Sequence, residues 1–101
     1  MPEFSSPFSV LKNDRKLNDN ELARAIRYSI AAEYEAIQIY QQLAESTDNE
    51  ASKAVLIDNA NEEKEHVGEF LKLLKHICPD EEKYYQNGYD EVDEIIEKLN
   101  E

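Results

Sequence analysis

The sequence predicts an all-α fold: an antiparallel two-helix hairpin followed by a short third helix, with the hairpin dimerising into a four-helix bundle. Three observations predict the helices and the hairpin, and the ligand pattern below predicts the dimer. The 101 residues include only two Gly and three Pro, and 34% are charged, a composition that favours helices over turn-rich β structure. Two long stretches free of Pro, the first also free of Gly, carry apolar residues at helical spacing, and a very short polar turn separates them. Connections of that length join neighbouring antiparallel helices.

Residues 1–17, beginning "MPEFSSPFSVLKNDRK", hold two prolines and several serines with no period, and read as an irregular arm. The half-bundle spans residues 18–100. Helix 1 is expected over about 19–46, capped by Asn18 with Glu21 as reciprocal partner three residues on. The turn "STDNE" follows, with Asp48 as the expected cap of helix 2. That helix should cover about 49–77 and stop before Pro79, which lacks the N–H and restricts the residue before it. Gly88 reads as a helix stop, so helix 3 is expected over about 89–100, with Val92, Ile95, Ile96 and Leu99 on one face. The acidic "DEEK" near residue 80 reads as a solvated helix start.

The formal charge is -12 and the pI about 4.5. Such a balance argues against nucleic acid, which requires clustered Lys and Arg, and favours cations. Cys78 is the lone cysteine, so no intrachain disulfide or Cys-rich metal site forms. No apolar run reaches the ~20 residues of a membrane helix, and no signal-peptide core is visible. The chain therefore reads as soluble and cytoplasmic, with no membrane partner.

At about 100° per residue, the apolar stripe of helix 1 runs through Ile26, Ile30, Ile37, Tyr40 and Ala44. Glu33 interrupts this stripe at its centre, whereas Glu35 projects to the opposite face. On helix 2 the stripe runs through Leu56, Ala60, Val67, Phe70 and Leu74. Glu63 occupies its middle and His66 lies one turn on at its flank, while Glu62 and Glu65 face outward. Glu33 and Glu63 each stand 15 residues from Asp48, so an antiparallel hairpin sets them at the same level. Two ionised carboxylates side by side on a core face are unfavourable unless a cation neutralises them. A Glu that snorkels from the edge of a narrow seam is the bland alternative. The matched height and the His at i+3 argue against it.

One chain supplies one Glu helix and one Glu-x-x-His helix, half the ligand set of a di-iron bundle. Two copies about a two-fold axis complete it with four carboxylates and two imidazoles. That donor set suits iron or manganese better than a thiolate-preferring ion.

The segments "AEYEAIQIY" and "NEEKEHVGEF", in their hairpin context over residues 18–100, resemble the encapsulated ferritins, half-ferritin cargo proteins of encapsulin nanocompartments. The resemblance implies a ferroxidase that oxidises Fe(II) to Fe(III) at a di-iron centre shared by two subunits, with Glu33, Glu63 and His66 as ligands and iron as cofactor. It implies an outer-sphere role near the metal for Tyr40 and a place for Glu35 in an outer metal-uptake site. Ala32 stands there where better-known members carry a second acid, and Ile39 replaces an aromatic. A homodimer assembling into a decameric ring, an encapsulin shell protein as partner and a cytoplasmic location inside the nanocompartment are also implied. The C-terminus "EIIEKLNE" shows no apolar docking tail, so loading by a docking peptide or by fusion stays open.

Two other readings use the same residues. One is a rubrerythrin-like peroxide reductase; lacking the Cys pairs of a rubredoxin domain, it requires an external reductant. The other is a non-enzymatic helical interaction module in which metals act as staples. His76 reads as a helix C-terminal donor, Cys78 as a small packing residue, and Tyr28 and Tyr34 as contacts between dimers.

Overall fold

The computed structural model describes residues 15–101; residues 1–14 of the expected arm lie outside it. Three helices follow in order: α1 over Asp19–Glu45, α2 over Glu50–Ile77 and α3 over Glu82–Leu99, with a 3₁₀ turn at Pro79–Glu81 before the last. No strand occurs among the described residues.

The start of α1 is fixed by local chemistry. Glu21 N–H donates to Asn18 Oδ1 at 2.9 Å, and Asn18 N–H donates to Glu21 Oε1 at 3.1 Å. These reciprocal bonds satisfy two amides at the helix entrance. Arg15 Nη1 donates to Glu21 Oε1 at 2.7 Å, and its Nη2 reaches Oε2. Replacing Asn18 by Ala is expected to cost about 1 kcal/mol in chemical denaturation. Hydrogen bonding from Arg15, then from the Asn18 backbone, holds the Glu21 carboxyl down from 4.5 to about 2. Because the folded value lies below the unfolded one, Glu21 supports folding at neutral pH and loses that role on acidification. Fraying of the first turn of α1 between about pH 5 and about pH 2, read from amide shifts, checks the assignment.

Asn49, not Asp48, caps α2. Its Oδ1 accepts from Ser52 N–H at 2.8 Å, while its own N–H donates to Thr47 Oγ1 at 3.1 Å. The Thr47 bond holds the turn in place and sets the helix start one residue later than expected. At the far end, Cys78 N–H closes on Leu74 C=O at 2.8 Å. Pro79 offers no N–H to continue the ladder.

Helix α3 begins at Glu82, ahead of the expected start at 89, and Gly88 lies inside it. Glycine costs a helix only about 1 kcal/mol relative to Ala, too little to break a pattern that continues through Tyr85, Val92 and Ile96. Open space surrounds the position a Cβ would take at Gly88. The acidic stretch before it also differs from expectation. Glu81 is not a solvated start but a half-buried partner of Arg27 on α1.

The core lies in the seam between α1 and α2. Ala23, Ile26, Ile30 and Ile37 form one buried cluster with Val67 and Leu74, and Phe70, Ile77 and Cys78 pack on its edge; Ala44 and Ala60 are buried as well. These are largely the predicted stripes, with Tyr40, Leu56 and Phe70 half-buried at their margins. The core is thin for two helices each about 40 Å long. Many large apolar side chains stay exposed along the hairpin, among them Ile39, Leu43, Val55, Ile57, Leu71 and Leu73. Helix α3 buries none of its residues, and the molecule measures 56 × 46 × 22 Å because α3 leaves the hairpin sideways.

Candidate metal centre

The hairpin brings three separated side chains to one level. Helical spacing puts Glu33 on the α1 face that carries Ile26, Ile30 and Ile37, and it puts Glu63 on the α2 face that carries Ala60 and Val67. His66 follows Glu63 by three residues and shares its side of the helix. One donor atom from each of Glu33, Glu63 and His66 lies within 4.8 Å of the others. No other group of three or more such side chains among the described residues forms a comparable cluster.

The detail of the contacts fits a metal better than a closed hydrogen-bond network. His66 Nδ1 stands 3.4 Å from Glu63 Oε2 and 3.6 Å from Glu33 Oε2. The first is a long hydrogen-bond contact, and the second exceeds hydrogen-bond range. Glu33 Oε2 is itself buried and has no hydrogen-bond partner. The carboxylate side chains keep 21% and 18% exposure, against 45% for the imidazole. Two carboxylates thus face each other at the seam with a single imidazole between them.

An orphaned carboxylate oxygen inside an apolar seam is costly, on the order of 1–3 kcal/mol. A divalent cation removes that cost by replacing hydrogen-bond donors with its own charge. Mixed carboxylate and imidazole donors suit first-row transition ions, and no thiolate is near the cluster to favour a softer choice.

The family described as EncFtn-like matches residues 9–88, a span containing the whole cluster. The chain belongs to the EncFtn-like family. Among its relatives, the ferritin-like–encapsulin shell fusion protein of Pyrococcus furiosus is 36% identical over 87 residues, covering 86% of this chain and 25% of that protein. The encapsulin nanocompartment cargo protein EncC of Myxococcus xanthus is 42% identical over 81 residues, covering 80% of this chain and 61% of that protein. The chain thus spans about a quarter and about three-fifths of these two relatives. The crystal structure of the encapsulated ferritin domain from Pyrococcus furiosus superposes with a TM-score of 0.80 at 35% identity, over 91% of this chain and 94% of that one.

Within this EncFtn-like hairpin the other expected residues fall apart from the cluster. Tyr40 lies seven residues beyond Glu33 on the same stripe, half-buried, and makes no hydrogen bond to Glu33, Glu63 or His66. Glu35 is half-buried, less exposed than its outward direction suggested, and takes part in no ion pair with a described residue. Glu62 and Glu65 are exposed as expected, and Tyr34 is exposed on α1. His76 lies in the basic last turn of α2, and Cys78 is half-buried as its C-cap.

What sequence reading missed is the Arg27–Glu81–Tyr85 cluster. Arg27 and Glu81 stand 54 residues apart, and no spacing rule links residues across a hairpin and a turn.

Proposed function

We propose that this chain is half of a ferroxidase, and that two copies close a four-helix bundle around a shared pair of irons. The observation that carries the reading is the buried, unpartnered Oε2 of Glu33, facing Glu63 and His66. A second copy about a two-fold axis brings the donor set to four carboxylates and two imidazoles. With neutral imidazoles, the four negative charges match two divalent cations. The exposed Ile39, Leu43, Leu71 and Leu73 supply apolar surface for such a contact.

In this reading each residue has a task. Glu63 and His66 share one helical face and would hold metal from α2. Glu33, reaching from α1 across the seam, would add its carboxylate to the same donor set. The apolar walls of Ile30, Ile37 and Val67 limit water around the donors, which strengthens their hold on a cation. Tyr40 lines the same seam two turns away and offers a phenol for outer-sphere hydrogen bonding. Glu35 lies on the outer face of α1, where its carboxylate contributes to cation attraction in a protein of charge -12. The bound irons supply the redox chemistry: each Fe(II) gives one electron to dioxygen or peroxide from solution.

The relatives' names support the setting: one is a fusion with an encapsulin shell and another an encapsulin cargo protein. We assign this chain to the same role, delivering oxidised iron for storage inside an encapsulin shell. We extend this reading to a ring of five dimers, the assembly that the family resemblance implies.

The test separates catalysis from metal-stapled assembly. Fe(II) added in air should produce Fe(III) absorbance faster than in buffer, and zinc should bind the same site and inhibit that reaction. A two-iron-per-dimer stoichiometry in an anaerobic titration is the accompanying expectation. Metal-supported assembly with iron oxidation no faster than in buffer would sink the ferroxidase reading and leave the staple. Comparing dioxygen with peroxide as oxidant separates a ferroxidase from a peroxide reductase.

A further inference from the structure

One tightly bonded cluster stands apart from the metal centre and takes no part in it. Arg27 on α1, Glu81 in the 3₁₀ turn and Tyr85 on α3 converge on a single carboxylate. Arg27 Nε donates to Glu81 Oε2 at 3.3 Å and its Nη2 donates to Oε1. Tyr85 Oη also donates to Oε2. The Arg27–Glu81 pair is therefore a two-pronged fork, the geometry in which an arginine holds a carboxylate most firmly. The Glu81 side chain is 18% exposed, so its carboxylate is better shielded than in an ordinary surface bridge, while Arg27 keeps 46% exposure.

The surroundings give this cluster a mechanical role. Helix α3 buries no residue against the hairpin, and Val92, Ile95, Ile96 and Leu99 are all exposed. Packing therefore does not fix its direction. It is joined to the hairpin by the backbone from Cys78 to Glu82, by this cluster, which Cys78 Sγ approaches at 4.0 Å from Glu81 Oε1, and by a loose contact of Lys75 Nζ to Glu82 Oε1 at 3.9 Å. The 3₁₀ turn is short, closed by Glu81 N–H to Cys78 C=O at 3.1 Å, and such turns have poorer hydrogen-bond geometry than an α-helix. Tyr85 stands seven residues before Val92, at the head of the apolar stripe of α3. Holding its phenol controls the rotation of that stripe as well as the direction of the helix.

We propose that the Arg27–Glu81–Tyr85 cluster is a latch that fixes the direction in which α3 leaves the hairpin and the side to which its apolar stripe is presented. The latch locks α3 in place before any second copy or metal is bound. Each group's pKa is displaced towards the protonation state that makes the bond. The hydrogen bond to Glu81 raises Arg27, the bond from Arg27 lowers Glu81, and the bond to Glu81 raises Tyr85.

The latch is tested by distance measurements between spin labels in the full chain, diluted with excess unlabelled protein and free of metal. Labels carried on bio-orthogonal residues at Gln41 on α1 and Glu94 on α3 leave Cys78 intact. A second pair at Gln41 and Asp58 monitors the hairpin. The wild type should give a single narrow distance for both pairs. Arg27→Met and Glu81→Ala should each lose the narrow α1–α3 distance while keeping the α1–α2 distance. Arg15→Met, which removes an unrelated surface pair, should keep both. A narrow α1–α3 distance retained in either latch variant would overturn the proposal, because the backbone turn alone would then set α3. So would a broad wild-type distribution, loss of the α1–α2 distance in a latch variant, or loss of the α1–α3 distance in Arg15→Met.

Discussion

His66→Ala is expected to reduce Fe(II) oxidation by the assembled protein to the rate of iron in buffer. In a two-fold site every substitution acts twice, so this variant deletes both imidazoles. Glu63→Ala and Glu33→Ala likewise delete two carboxylates each. Even partners one shell beyond a metal ligand are worth about 10–100-fold in affinity or activity, so loss of a ligand pair should exceed roughly 100-fold. Stopped-flow absorbance of Fe(III) formation reads the effect, and wild-type rates in all three variants would remove these residues from the reaction.

Removing the Glu33 carboxylate should move stability in the opposite direction when metal is absent. Glu33 carries a buried oxygen without a partner, so the metal-free wild type bears an unrelieved desolvation cost. Replacing Glu33 with Met, of similar length and without charge, should raise metal-free stability by about 1 kcal/mol. Anaerobic Fe(II) should raise the melting temperature of the wild type but not of Glu33→Met, because ligand binding stabilises only a chain that retains its site. A Glu33→Met chain that melts below the metal-free wild type would show that the carboxylate is structurally satisfied.

The second large effect is expected in the seam. Leu74 is 2% exposed and joins Ala23, Ile26, Ile30, Ile37 and Val67 in one cluster. Leu74→Ala should destabilise the chain by about 2–5 kcal/mol, the sum of lost transfer energy and a cavity. Few side chains share the burden in so thin a core, which leaves little capacity to compensate. Leu99→Ala, at a residue 80% exposed, should change stability by about 0.5 kcal/mol or less. Chemical denaturation at fixed protein concentration makes the comparison, and equal effects at the two positions would contradict the seam as the source of stability.

Much of the candidate centre was legible because helices obey short-range periodicity. Glu33 stood out as a charge on a stripe otherwise apolar from Ile26 to Ile37. Glu63 did so between Ala60 and Val67, and the short turn equalised their heights. Asn18 and Glu21 announced the start of α1 by the same local logic. Where local signals competed, the reading slipped: Asp48 and Asn49 are both capping residues, and only the bond to Ser52 chose between them. Gly88 looked like a stop because a propensity of about 1 kcal/mol cannot be weighed against helix continuity without seeing the flanking turns.

The sequence by itself determined the two stripes, the hairpin and the placing of Glu33, Glu63 and His66 at one level. Periodicity and chain length suffice for these, since a rigid helix carries a residue's number directly into its height and face. Only the tertiary structure decided that Glu33 Oε2 is buried without a partner. It alone also decided that Arg27 reaches Glu81 and that α3 leaves the hairpin with its apolar face uncovered. Those features depend on where side chains distant in sequence meet across helices and turns, and no local pattern encodes such distances.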